Sequence, residues 1–310
     1  MARPDWPATI MDFQERFATE AACLGYLAAS RWPDGFACPA CGGRRAWVLE
    51  RRHLWECGTC HHQTSVTAGT VMHGTRTPLR LWFWAAYLVA THHPGISAKQ
   101  LQRQLGLSRY ETAWLILQKL RRAMIAPERE PLKGEVEVDE FFLGGFEEGL
   151  RGSRQRGKKA LCGVAVEVRG QGSRRVRVRV LKDASKPTLT AFVKATTAPG
   201  ATVRSDGWRG YNGLDGAGYD HRPHSQRAAP PGEEPYLPRA HRAISNLKAW
   251  MHGTHRGVGD QHLQVYLDEY VFRHNRRRTP MAAFQTLLGL GALHPPTTYE
   301  QITRPEQAAA

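Results

Sequence analysis

Two aspartates in this chain stand where chemistry is often sited. The run Gly134-Glu135-Val136-Glu137-Val138-Asp139-Glu140 alternates valines with acids, as a short strand does, and closes on a carboxylate pair ahead of a Gly144-Gly145 break. Further on, Ala201-Thr202-Val203-Arg204-Ser205-Asp206-Gly207 reads as another strand that ends in an aspartate and a glycine. Carboxylates at strand ends suit hard divalent cations such as Mg²⁺ or Mn²⁺, which prefer oxygen ligands. A single acid of this kind is more often a solvated edge, so the pair matters only if the fold brings both together.

A second constellation is made of sulfur. Cys38-Pro39-Ala40-Cys41 and Cys57-Gly58-Thr59-Cys60 are two Cys-x2-Cys knuckles separated by fifteen residues. Their spacing fits a structural zinc ion held by four thiolates, each about 2.3 Å from the metal. Trp47-Val48-Leu49 and His53-Leu54-Trp55-Glu56 read as strands of the ribbon between the knuckles, a module too small to hold itself together without metal. Cys23 and Cys162 fit neither knuckle and read as buried thiols. His61 and His62 are not needed once four sulfurs complete the shell.

The elements that must position these groups are written along 310 residues, a length that suggests two or three units. Hydrophobic residues make up 41% of the chain, enough for real cores. No apolar run approaches the roughly 18 to 20 residues that would cross a bilayer, and no signal-peptide pattern opens the chain, so a cytoplasmic protein is expected. Forty-three Lys and Arg against 28 acids leave a net charge of +15, which favours a polyanion such as nucleic acid. Ribosomal or membrane-surface proteins share such a charge. The stretch from Arg151 to Lys182 holds eleven basic residues and the single acid Glu167, a plausible phosphate track or a solvated face.

Apolar spacing over residues 10 to 31 predicts a helix that Asp12 could cap. A buried helix is expected from Leu79 to Val89, stopped near Pro94-Gly95. Ser97 to Leu105 and Arg109 to Arg122 then read as two helices about a Gly106-Leu107-Ser108 turn, with Ser108 as N-cap. This is helix-turn-helix text, in which Arg109, Tyr110, Glu111 and Thr112 would face DNA while Trp114, Leu115, Leu117 and Leu120 turn inward. Any αα-hairpin looks similar. After the Pro127–Pro131 linker come strands at 134–140, 160–169 and 174–181, a helix from Pro187, and the strand ending at Asp206. Three meandering strands, a crossover helix and a parallel strand are the opening order of a ribonuclease H-like sheet, where the ends of the first and fourth strands lie side by side. The segment from His221 to Pro238 reads as a loop, and helical text returns at 239–252, 260–276 and 281–288. The fold class is therefore α+β multidomain: an N-terminal helical segment (1–35), zinc ribbon (36–75), helix-turn-helix-like module (76–127), ribonuclease H-like α/β domain (132–290) and a polar tail (291–310).

With these features in order, the chain resembles bacterial insertion-sequence transposases of the IS fifteen-ninety-five family. The residues that carry the resemblance are the zinc ribbon, Thr64 to Thr70, Val136-Glu137-Val138-Asp139-Glu140, Gly144-Gly145, Ser205-Asp206-Gly207 with Tyr211, Asn246-Leu247-Lys248, and Tyr266 to Arg277. The resemblance implies a DDE-type catalytic domain using two Mg²⁺ or Mn²⁺ ions to cleave and join DNA, with Asp139 and Asp206 as ligands. It implies double-stranded DNA as partner, both terminal inverted repeats and target, and a homodimer or larger assembly on it. A glutamate seven residues before a helix lysine is the family's usual third acid. Here that position, counted from Lys248, is His241, and Asn246 is its rival because some branches carry asparagine. Lys248 would contact phosphate near the scissile bond. Glu269, Arg273 and Arg276 match a Glu-Arg-Arg signature on one helix face, and Arg276-Arg277-Arg278 would hold DNA backbone.

A zinc-ribbon, helix-turn-helix regulator without catalysis would explain the charge and the first 125 residues, but not the two aspartates. A ribonuclease H-like nuclease or junction resolvase would keep the aspartates yet leave the N-terminal modules without a task.

Overall fold

The computed structural model describes residues 5–125, 129–144, 159–225 and 236–304. Pro127-Glu128, Gly145, the basic run at 151–158, residues 226–235 of the expected loop and the end of the tail lie outside the described residues. The chain forms two compact units, residues 1–126 with 276–310, and residues 127–275.

In the first unit the helix expected over 10–31 is two: α1 (Ile10–Arg16) and α2 (Glu20–Arg31). Thr9 and Thr19 are the reason, since each hydroxyl accepts a backbone N–H from its own first turn, at Asp12 and Ala22. Asp12 is not the cap; it lies inside the first turn, takes the Ala8 N–H at 2.7 Å and pairs with Arg16. The ribbon is a three-stranded antiparallel sheet of β1 (Ala46–Leu49), β2 (Leu54–Cys57) and β3 (Gln63–Ser65). β3 is polar and three residues long, which gives it no alternation to detect.

Three helices follow: α3 (Leu79–Thr91), α4 (Ala98–Gln104) and α5 (Tyr110–Ala123). Arg109, not Ser108, is the N-cap of α5, and no side chain caps it. The Ser108 carbonyl is taken by Gln102 Nε2 at 3.3 Å. α5 buries Ala113, Ile116, Leu117 and Leu120, while Trp114 and Leu115 are only half-buried, so its inner face is turned relative to the expected one. Arg109, Tyr110 and Glu111 are exposed.

The expected catalytic unit ran to residue 290, but α9 (Pro280–Leu293) belongs to the first unit. Its Phe284 packs against Phe13 and Phe83, with ring centroids 5.3 and 6.0 Å apart. An apolar helix goes where it can bury most surface, and here the N-terminal helices supply the partners. A short α10 (Tyr299–Thr303), closed by a Thr298–Gln301 capping box, stands in the expected tail.

The second unit is a five-stranded mixed sheet. β4 (Glu135–Leu143), β5 (Ala160–Arg169) and β6 (Gly172–Leu181) form an antiparallel meander. α6 (Lys186–Thr196), with Pro187 in its first turn, crosses to β7 (Thr202–Ser205), which runs parallel to β4. β8 (Asp220–Pro223) adds in parallel at the edge, in what the sequence suggested was loop, giving the order β6-β5-β4-β7-β8. Alternation along β4 sorts its side chains. Val136 and Val138 join the core beneath α6, and Phe141 joins the other, built with α7 (Pro238–Trp250) and α8 (Asp260–Asn275).

One acid in α8 works against the fold. Burial pushes the Asp268 carboxyl up to about 6, offset in part by Arg129 at 4.0 Å and Gln264 at 3.3 Å. Its Oδ2 has no hydrogen-bond partner among the described residues. A carboxyl whose pKa is higher folded than unfolded holds its proton more tightly in the native state. Stability is therefore lost as pH rises from the ordinary carboxylate value to about 6, and stays lost above it. Asp268→Asn keeps the shape without the charge. It is expected to stabilise the protein by roughly 2–3 kcal/mol near pH 8 and hardly at all near pH 4, measured by denaturant unfolding; an equal effect at both pH values would contradict this account.

Candidate active site and metal centres

β4 and β7 are in register through Glu137 opposite Arg204. β7 ends at Ser205, whereas β4 continues to Leu143 with only β5 beside it. Asp139 therefore does not end its strand, as the sequence suggested; it stands where β4 loses its parallel neighbour, and Asp206 is the first residue beyond that neighbour. Both line one open cavity of about 520 Å³. Each carboxylate is steadied by backbone. Asp139 Oδ1 accepts the Glu140 N–H and Asp206 Oδ1 accepts that of Trp208, both at 2.9 Å. Between them Gly207 has φ +79°, and a Cβ there would stand 3.3 Å from the Ser225 nitrogen, so the turn that presents Asp206 needs glycine.

A third group arrives from α7. Glu137, two residues before Asp139 on the same face of β4, is fully buried. Its Oε2 accepts the Arg239 and Ala240 N–H groups, both at 2.8 Å, and Oε1 lies 3.3 Å from the Arg239 guanidinium. Leu237, at the N-cap of α7, offers no side-chain cap, so a strand carboxylate takes that role. The first turn of α7 is thereby fastened to β4, and His241 Nε2 comes within 3.4 Å of Asp139 Oδ2. Asp139 raises the His241 pKa above its ordinary value, against partial desolvation, and the charges of Glu137 and Asp206 add to the effect.

Seven residues on, two turns along the same face, Lys248 Nζ lies 5.6 Å from the centroid of Phe141, the residue two beyond Asp139. Asn246 is exposed and points away from that face. Of the two rivals for the third position, His241 is the one the fold brings to Asp139.

Glu140 leaves the opposite face of β4 and also lines the cavity. Tyr211 donates to its Oε2 at 2.7 Å. Burial, together with the charges of Glu140, Asp139 and Asp206, holds the Tyr211 pKa far above its ordinary value, so it remains a neutral donor. Neither Glu137 nor Glu140 stood out in the sequence beyond its place in the acidic run; the signal was that an acid between valines must find a partner if buried.

Other residues singled out in the sequence are placed elsewhere. Arg273 pairs at 3.7 Å with Glu269, which is fully buried, so the pair belongs to the interior of α8. The helix ends at Asn275; Arg276 is half-buried and Arg277 exposed, both beyond it, so the single helix face expected for Glu269, Arg273 and Arg276 stops short of Arg276.

In the ribbon, the donor atoms of Cys38, Cys41, Cys57 and Cys60 lie within 4.8 Å of one another, and they are the one such group of three or more among the described residues. The backbone N–H groups of Cys60 and Thr59 draw the Cys57 thiol down to about 6. Cys41 is held up at about 12: the Gly43 N–H favours its thiolate, but the sulfurs of Cys60 and Cys57 outweigh it. Four sulfurs this close cannot all ionise unless a cation joins them, and the donor set fits Zn²⁺. Burial raises the Cys23 and Cys162 thiols to about 12, which makes them inert.

A four-cysteine ribbon in one unit and, in the other, a sheet that turns two aspartates into one cavity are the two parts of a transposase. The chain belongs to the insertion-sequence transposases of the IS fifteen-ninety-five family: residues 131–275 match the ISXO2-like transposase domain and residues 18–63 the transposase zinc-ribbon domain. It is also similar to an uncharacterized protein in transposable element ISH50 of Halobacterium salinarum, 28% identical over 302 residues that cover 88% of this chain and 97% of that one.

Two outcomes are expected. Glu137→Ala strands the Arg239 guanidinium and two N–H groups, and should cost on the order of 3 kcal/mol in unfolding experiments. Metal analysis should find one tightly held zinc per chain, and Cys57→Ser should release it and open residues 38–65 to proteolysis.

Proposed function

We propose that this protein moves its own insertion sequence, binding the terminal inverted repeats as double-stranded DNA and catalysing their metal-dependent cleavage and joining to a target. The observation that carries this reading is that Asp139 and Asp206, 67 positions apart, line one cavity within the transposase domain. Their donors are hard oxygens, and a half-open cavity beside a parallel strand pair leaves room for both cations and a phosphodiester, so the residues fit Mg²⁺ or Mn²⁺. When bound, a pair of such ions would supply an activated water or 3′-hydroxyl and stabilise the leaving oxygen.

Within this reading Asp139 and Asp206 hold the cations. His241 takes the third position and orients the Asp139 carboxylate, in preference to Asn246. Lys248, one face along α7, meets the phosphate next to the scissile bond. Arg109 at the exposed start of α5 contacts DNA, and Arg276 and Arg277 hold the phosphate backbone of the DNA. Two paired ends call for a homodimer or larger assembly. No helix of the described residues is long and apolar enough to cross a membrane, in keeping with a protein that acts on DNA in the cytoplasm.

The test uses the full chain with labelled duplexes carrying the inverted repeats that flank the gene. In Mg²⁺, cleavage and strand joining are expected. Asp139→Asn and Asp206→Asn should each remove roughly a thousandfold of the rate while gel-shift binding persists. His241→Ala should cost more than about tenfold and Asn246→Ala little. Binding without any cleavage would leave a regulator, and cleavage indifferent to the repeats a nuclease.

A further inference from the structure

The cavity that the aspartates line is larger than two cations require, and its lining includes the aromatic and apolar Trp208, Phe142 and Leu161 together with Lys182, Asp183 and Ser185. At about 520 Å³ it is within the usual range for a small organic ligand. It has no room for a stacked duplex, whose major groove alone is about 12 Å wide.

Trp208 is built in. Its Nε1 donates to the Ala184 carbonyl at 3.0 Å. Gly210 lies so close that an added Cβ would stand 2.6 Å from that carbonyl and 2.7 Å from the indole nitrogen. The Trp208 backbone N–H is the group that Asp206 Oδ1 accepts. The ring and the carboxylate are therefore two ends of one turn, and whatever the ring holds lies close to Asp206.

We propose that this cavity takes one nucleotide drawn out of the DNA stack next to the cleaved phosphodiester, with its base against Trp208 and Phe142. The inference rests on the transposase reading of the aspartates. The chemistry favours a base because an aromatic platform accepts any base by stacking, and the cationic Lys182 suits the attached phosphate. Unstacking costs a few kcal/mol, which the platform returns. The base needs no hydrogen-bond code, so the site fixes the position of the strand without reading its sequence.

The experiment pairs the side chain with the base. The full chain is bound, in Ca²⁺ to prevent turnover, to inverted-repeat duplexes that are either fully paired or carry one unpaired nucleotide at each position around the expected cleavage point in turn. Binding is expected to tighten on the order of tenfold at one position. The gain should be lost in Trp208→Leu and kept in Trp208→Phe, a pair that separates stacking from folding. It should vanish when the unpaired nucleotide is made abasic. A gain that Trp208→Leu retains, or the absence of any favoured position, would overturn the proposal. Because this readout needs no cleavage, it stands apart from the transposase assignment: loss of turnover with the binding gain intact would refute that assignment and leave the pocket.

Discussion

The contact on which the active unit depends is the buried carboxylate of Glu137 against the first turn of α7. A helix start leaves N–H groups unsatisfied, and a carboxylate inside a sheet needs partners; each resolves the other's cost. Because Glu137 lies two residues before Asp139, the bond fixes the rotation of α7 relative to the strand that carries Asp139. His241 and Lys248, seven residues apart, then fall along that strand. Without the anchor α7 could slide or turn, and a histidine displaced by one residue would leave the aspartate it serves.

The two units solve the problem of stability differently. The ribbon has almost no core, with Trp47 and Val48 of β1 more than half exposed, so four sulfurs and a cation must do what packing does elsewhere. The helices around it rely on rings, with Phe13, Phe17, Tyr26, Phe83 and Phe284 in mutual edge and tilted contacts. In the sheet unit, by contrast, apolar cores form on both faces, and the acids at the interrupted β4–β7 pairing line an open cavity.

Much of this was legible in the sequence because it was written in strong periods. The knuckle spacing gave the ribbon, strand alternation gave the meander, and Asp139 and Asp206 at the close of strand text pointed to the cavity. The misreadings share a cause: short or polar elements have no period. β3 and β8 are three and four residues of mostly polar text, held by their neighbours' unpaired edges. The split of α1 from α2 turned on a threonine hydroxyl. That Asp139 lies within β4 could not be read either, because its exposure depends on where β7 stops. α9 is helical text wherever it packs, and only the ring cluster shows which unit it joins.

Electrostatics join the acid site to the basic chain. Asp139, Glu140, Asp183 and Asp206 gather at one cavity, and four carboxylates there would repel a phosphodiester. Two features offset that repulsion before any cation is counted. Tyr211 stays protonated and takes one lone pair of Glu140, and Asp139 shares its charge with His241. Lys182 lines the same cavity, and the chain as a whole carries +15, so a chain whose overall charge favours a polyanion holds a local cluster of acids that favours cations.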